Sequence, residues 1–408
     1  MLVVLIGATV SVLRSNAAPV LAVKDRYSPT RIIAKVPSNT PIRIESLYDR
    51  PEWISDADLV AVLKQVRPRM GTGEFKPNHV EHALRTWGAK INFGDPEILS
   101  GPDMVSYLTD AIVFQKKWGK LWTDNKVRPL LADRPAGISV NYGTIQGESV
   151  HHDHALACLT EAGVALDTPV YGPRRRLGIT LNDMLQEALR DFRLDEKETE
   201  WTALAFGLWI SPETHEWVGS DGRTYSFDLI AQRLMRGLPE LGVCHGTHRI
   251  YSLMVLIRLD DNYGDVLSDP IRAEAMAYLE RVRDAISQSQ FPDGHWPSNW
   301  PEGAKALTNL KPDEMKEKII ATGHHLEWLA IAPRELHPPD ELIQKAMRWS
   351  IDTTIAQTPE EIRARYTFLS HIGNALALWR GSHPAEFLQS HPDSAVGDID
   401  VLPAPESP

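Results

Sequence analysis

Cysteine is nearly absent: two residues, Cys158 and Cys244, in a chain of 408 exclude a disulfide scaffold. Positive charge is also short. With 43 Lys and Arg against 54 Asp and Glu, the formal net charge is -11, which excludes a nucleic-acid surface. The basic run Arg174-Arg175-Arg176 reads as a solvated loop in so acidic a chain. Long apolar runs are missing as well. The stretch Leu2 to Leu13 falls short of the roughly 20 residues that a bilayer needs, so no stable membrane span is expected. Followed by Arg14-Ser15-Asn16-Ala17-Ala18-Pro19, it has the form of a signal peptide over 1–18, and we expect a periplasmic or secreted protein. Residues 19–54 read as a Pro-rich wrapping arm, 55–382 as one domain, and 383–408 as a disordered tail.

Histidine is what the chain has instead. A short phrase recurs: His79-Val80-Glu81-His82, His151-His152-Asp153-His154, His245-Gly246-Thr247-His248, His324-His325-Leu326-Glu327 and His371-Ile372-Gly373-Asn374, each followed by an apolar run. Three His-x-x-His pairs are present where a random scatter of 15 His would give about half of one. Residues three apart share a helix face. Glu198-Thr199-Glu200-Trp201, before Thr202 to Trp209, supplies a sixth phrase with Glu and Trp in place of the polar pair. Between these nearly uncharged segments lie six amphipathic ones with ordinary start signals: Leu59–Val66, Met104–Trp118, Leu181–Phe192, Phe227–Arg236, Ile271–Ser287 and Glu341–Ile355. Six polar-faced helices alternating with six buried ones predict an all-α fold, an (α/α)6 toroid of six outer and six inner helices. On that reading His79, His151, His154, His245, His248, His324 and His371 begin inner helices and converge on one end of a central cavity.

Three local motifs carry resemblances. Gln290-Phe291-Pro292-Asp293-Gly294-His295-Trp296 resembles the Gln-Trp repeat of the terpenoid cyclase and protein prenyltransferase toroids, where Gln and Trp pin outer helices to neighbouring turns. The Asp-x-Asp-Asp motif of the squalene and hopene cyclases is absent, and Asp260-Asp261-Asn262-Tyr263-Gly264-Asp265 reads as a turn, so cyclase chemistry does not carry over. Cys244-His245-Gly246-Thr247 looks like the zinc motif of the lanthipeptide cyclases, also α/α toroids, but the second Cys those enzymes use is displaced here, because Cys158 sits well into its helix. Gly323-His324-His325-Leu326-Glu327-Trp328 looks like the Gly-His-x-x-Glu-Trp motif of the N-acylglucosamine and cellobiose 2-epimerases. That resemblance implies His324 as acid/base and Glu327 as a hydroxyl ligand.

Neutral imidazole titrates near working pH, so His on opposite walls of a cavity suit proton abstraction and delivery at a sugar carbon. The expected function is a carbohydrate-active enzyme of lyase or epimerase type, with a small-molecule or glycan substrate. His248, His324, Tyr251 and Glu327 would be catalytic, and Arg249, Trp296, His79, His151, His371 and Asn374 would bind substrate. Trp217, Trp296 and Trp300 are expected near loop mouths as stacking platforms. No cofactor is required on that reading. The first alternative makes His151, His154, His245 and His248 ligands of zinc or iron. The second is a noncatalytic repeat or binding protein in which the imidazoles form a structural belt.

Overall fold

A computed structural model describes residues 32–70, 76–236, 242–309 and 312–391; the expected signal peptide and most of the expected tail lie outside them. The chain is mainly helical, as expected. The helices are α1 (Asp56–Gln65), α2 (Pro77–Trp87), α3 (Gly101–Thr109), α4 (Ala111–Thr123), α5 (His154–Glu161), α6 (Leu181–Asp191) and α7 (Glu200–Ile210). They continue with α8 (Phe227–Met235), α9 (Thr247–Tyr263), α10 (Asp269–Ser289), α11 (Met315–Ile331), α12 (Asp340–Ile355), α13 (Pro359–Trp379) and α14 (Pro384–Ser390). Two short antiparallel hairpins are the only strand pairs among the described residues: β1 (Leu131–Asp133) with β2 (Ile138–Val140), and β3 (Glu216–Val218) with β4 (Thr224–Ser226). No described helix is long and apolar enough to cross a membrane.

Packing follows the charge pattern. The six helices that bear the His phrases and Trp201 touch in succession, α2 to α5 to α7 to α9 to α11 to α13, and α13 returns to α2. Every residue of α7 is buried, as is α9 from Thr247 to Leu259 and α11 from Ile319 to Ile331. Glycine lets two of these contacts close. A Cβ on Gly323 would stand 3.0 Å from Ile372, and one on Gly207 would stand 3.0 Å from Leu259. The charged helices lie on the far side and bury one stripe each. In α10 that stripe is Ile271, Ala275, Tyr278, Leu279, Val282 and Ile286, while Glu274, Glu280 and Arg281 face solvent. Gln290 ties this layer together, because its amide donates to the carbonyls of Gly294 and Leu342 at 3.0 and 2.7 Å, joining the end of α10 to α12.

Two helices start earlier than the His phrases suggest. α13 opens on Thr358, whose hydroxyl accepts from Glu361 N while the Glu361 carboxylate accepts from Thr358 N. This capping box, with Pro359 in the first turn, fixes the start twelve residues before His371. α11 likewise begins at Met315, so His324 and His371 are mid-helix residues. The expected tail is also corrected. Pro384 to Ser390 is helical, because Pro384 suits a first turn and Phe387 and Leu388 are buried.

The arm is extended and crosses the C-terminal ends of the buried helices. Ile42 N donates to Leu208 O, Leu47 N to Ala330 O and Arg50 N to Trp379 O, while Glu45 O accepts from Arg258 of α9. These carbonyls have no partner within their own helices, and the arm caps them. His337 seals the edge where the arm meets α11 and α13. Its ring lies 4.9 Å from Tyr48 and 5.4 Å from Trp379, and Nε2 donates to Leu329 O at 2.9 Å. Burial lowers its pKa to about 4. Between pH 6.5 and 4 the unfolded chain takes up this proton and the folded chain does not. The stability present above about pH 6.5 is therefore lost as pH falls, by up to about 3 kcal/mol at pH 4. Chemical unfolding of wild type and His337→Gln between pH 7 and 4 checks this; parallel curves for the two proteins refute it.

Candidate functional site

Each of the six buried helices contributes one ring to a closed belt of side chains. His82 of α2 lies 4.9 Å from His154 of α5, which lies 4.2 Å from Trp201 of α7. Trp201 lies 4.2 Å from His248 of α9, His248 4.3 Å from His324 of α11, His324 3.9 Å from His371 of α13, and His371 5.1 Å from His82. Across the belt, the His248 and His371 rings stand 5.4 Å apart.

One helical turn on, at i+3, stands a polar tier: Arg85, Tyr251, Glu327 and Asn374, joined by Glu161 of α5. Arg85 donates to Glu161 Oε2 and Glu327 Oε1, both at 2.7 Å. Tyr251 donates to Glu161 at 2.9 Å, and Asn374 to Glu327 Oε1 at 2.7 Å. Burial disfavours the charged forms of Arg85 and Glu327. Glu161 and Glu327 hold the guanidinium charged, well above its ordinary range, and Arg85 and His371 hold Glu327 well below the usual carboxylate range against its own burial. A cavity of about 40 Å³ lies between this tier and Ile42 and Ile44 of the arm.

The ionised Glu327 sets the His324 tautomer. Its Oε2 lies 2.9 Å from His371 Nδ1 and 3.3 Å from His324 Nδ1. A carboxylate only accepts, so His324 Nδ1 carries hydrogen and its Nε2 keeps a lone pair, whereas His371 Nδ1 also lies 3.0 Å from Arg85 Nη1, a donor, and stands between the two. The Nε2 atoms of His248, His324 and His371 are sealed from solvent without a hydrogen-bond partner. Burial, then neighbouring imidazoles, keeps His248 and His371 well below the ordinary histidine range, and burial lowers His324. Before α9, Cys244, His245 and Gly246 take successive left-handed conformations, with φ of 51°, 60° and 81°. This tight turn folds Cys244 back over the helix start. Its sulfur and one nitrogen each of His248 and His324 lie within 4.8 Å of one another.

The structure brings His154, His248, His324, His371, Tyr251, Glu327 and Asn374 into one buried system. His79 stands outside it, in the first turn of α2 against Tyr366 at 6.3 Å, and His82, one turn on, takes the inward place. His151 pairs with Glu198 at 2.6 Å at the half-buried rim. Arg249 points away from the centre, to Glu200 at 3.3 Å and Arg236 O at 3.1 Å. Trp296 offers no stacking face: it is fully buried, with Nε1 donating to Ile286 O, and Trp217 and Trp300 are also buried. The expected ligand set His151, His154, His245 and His248 does not assemble either. His154 Nδ1 faces Glu81 at 2.7 Å and His245 is spent in the turn, so Cys244 and His324 stand where those residues were expected. Cys158 is buried in α5, and both cysteines are free. Sequence reasoning missed Arg85 and Glu161. Each is a charge inside an apolar helix, three and seven residues after an inward His, and that spacing marks a shared face.

No family model matches the chain, and neither a curated protein nor a solved structure is found to be similar to it.

Proposed function

We propose that the chain is an (α/α)6 toroid enzyme that holds one divalent transition metal, of the zinc class, at the centre of its imidazole belt. The observation that carries this is the pair of buried histidines, His248 and His324, each with an unpartnered Nε2, gathered with the Cys244 sulfur. A buried lone pair without a donor costs about 1–3 kcal/mol each, and a cation removes that cost. Cys244, His248 and His324 would be the ligands, a sulfur and nitrogen set that suits zinc and leaves a fourth position open. Glu327 acts behind His324, fixing ring orientation and tautomer as carboxylates do behind metal-bound histidines.

Charge supports a divalent ion. Arg85 balances one of Glu161 and Glu327, which leaves one carboxylate of the tier without a countercharge of its own. A Cys244 thiolate adds a second negative charge, and a divalent cation neutralises both. Such an ion supplies a Lewis acid with an open position. The carbohydrate reading has less support, since His248 and His324 stand ring against ring at 4.3 Å rather than on opposite walls of a substrate-sized cleft.

Elemental analysis of the purified full-length protein tests the proposal. About one equivalent of zinc or another divalent first-row metal is expected at the centre, and that equivalent is lost in Cys244→Ser and His324→Ala. Cobalt(II) loading should give a thiolate charge-transfer band that Cys244→Ser abolishes. Zinc and cobalt uptake that both variants leave unchanged, or no uptake at all, would overturn it.

A further inference from the structure

We infer that the rim of the belt carries a second cation site, built by His152, Asp153 and Glu196, for a divalent ion of the manganese, iron and zinc group. It is independent of the central site and shares none of its residues. Two loops meet here: the turn before α5 brings His152 and Asp153, and the connection from α6 to α7 brings Glu196. One atom from each, the His152 nitrogen and one oxygen from each carboxylate, lie within 4.8 Å of one another.

The arrangement of these atoms suits a shared ligand. His152 Nδ1 lies 3.1 Å from Glu196 Oε2 and 3.3 Å from Asp153 Oδ2, ion-pair distances at which the carboxylates hold a proton on the imidazole against its burial. His152 Nδ1 and Glu196 Oε2 are sealed from solvent without a well-formed hydrogen bond. Three ligand atoms gathered this closely offer one nitrogen and two oxygens to a cation, which would take the place of that proton. The surroundings hold these atoms in place. Arg193 N donates to Glu196 Oε1 at 3.0 Å and leaves Oε2 turned to the cluster; the Thr202 hydroxyl donates to Asp153 Oδ2 at 2.8 Å; and the edge of the Tyr142 ring packs on His152 at 4.7 Å. These are outer-shell contacts of the kind that orient metal ligands.

The donor set selects the ion. One imidazole and two carboxylates suit manganese, iron or zinc better than a soft thiophilic ion, and the imidazole disfavours calcium and magnesium, which take oxygen. Glu198, held by His151, adds a further negative charge beside the site.

Isothermal titration of metal-free full-length protein with MnCl2 and then ZnCl2, with Mn(II) electron paramagnetic resonance to count bound ions, tests this. Wild type is expected to bind one ion at the rim in addition to any at the centre. Glu196→Gln and Asp153→Asn, which preserve shape, should each weaken the rim ion by at least about 10-fold while Cys244→Ser leaves it in place. Retention of the wild-type stoichiometry and affinity by both rim variants overturns the inference, as does a wild type whose every bound ion disappears in Cys244→Ser. A wild type that binds one ion, lost in Glu196→Gln and kept in Cys244→Ser, upholds the rim site and sinks the central one. Melting curves of the metal-free variants show that each is folded; if Glu196→Gln is not, Asp153→Asn decides.

Discussion

Replacing Arg85 with alanine is expected to lower the unfolding free energy by about 3–5 kcal/mol, the usual cost of removing one partner from a buried ion pair. The guanidinium is almost entirely buried, and it separates two carboxylates that would otherwise stand unpaired in the core. Glu161 keeps only the Tyr251 hydroxyl, and Glu327 keeps Asn374 and the two imidazoles. Arg85→Met retains most of the side-chain volume, so a similar loss in that variant assigns the effect to charge rather than to a cavity. Adding Glu161→Gln to Arg85→Met should recover part of the loss, because it removes one of the stranded charges. Urea unfolding of the variants is the measurement. A cost below about 1 kcal/mol for both single variants would mean that the polar tier accepts a proton or water easily, and would undo the charge argument for a divalent ion.

The alternation of charged and uncharged helices was legible from residues such as Ser55 and Ser226, whose hydroxyls do cap α1 and α8, and Trp201 stands in the belt as the sixth phrase implied. Helix starts were less legible. A histidine phrase draws the eye to itself, while Thr358-Pro359-Glu360-Glu361 states the start of α13 by its own chemistry. The placement of the loop tryptophans was not legible. Nothing in the sequence separates a Trp at a loop mouth from one turned inward, and the Trp296 ring is turned inward with Nε1 donating to Ile286 O and the ring in edge-to-face contact with His325. The metal-ligand pattern failed for a similar reason. Counting three and four residues along a helix selects His245, but three left-handed residues before α9 break that count and present Cys244 instead. The i+3 rule succeeded once helices were established. It places Tyr251 under His248, Glu327 under His324, Asn374 under His371 and, unrecognised in the sequence, Arg85 under His82.

Glu327→Gln is expected to lower affinity for the central metal by about 10–100-fold, the range for loss of an orienting partner behind a histidine ligand, while costing less stability than Arg85→Ala because Arg85 keeps Glu161. The reason is the number of acceptors. The carboxylate has two oxygens, one accepting from Arg85 and Asn374 and the other from the Nδ1 hydrogen of His324. A glutamine amide has one oxygen and one NH2 group. With the oxygen kept toward Arg85 and Asn374, the NH2 meets His324 Nδ1, which must then give up its hydrogen and accept. The hydrogen moves to Nε2 and occupies the lone pair that the metal would use. Chelator competition gives the affinity, and nitrogen-15 spectra of the imidazoles in the metal-free protein report the tautomer directly. The expected result is a shift of His324 from the Nδ1–H to the Nε2–H form together with weaker metal retention. Unchanged affinity in a variant whose His324 tautomer has shifted would show that His324 does not bind through Nε2, and the central site would have to be abandoned.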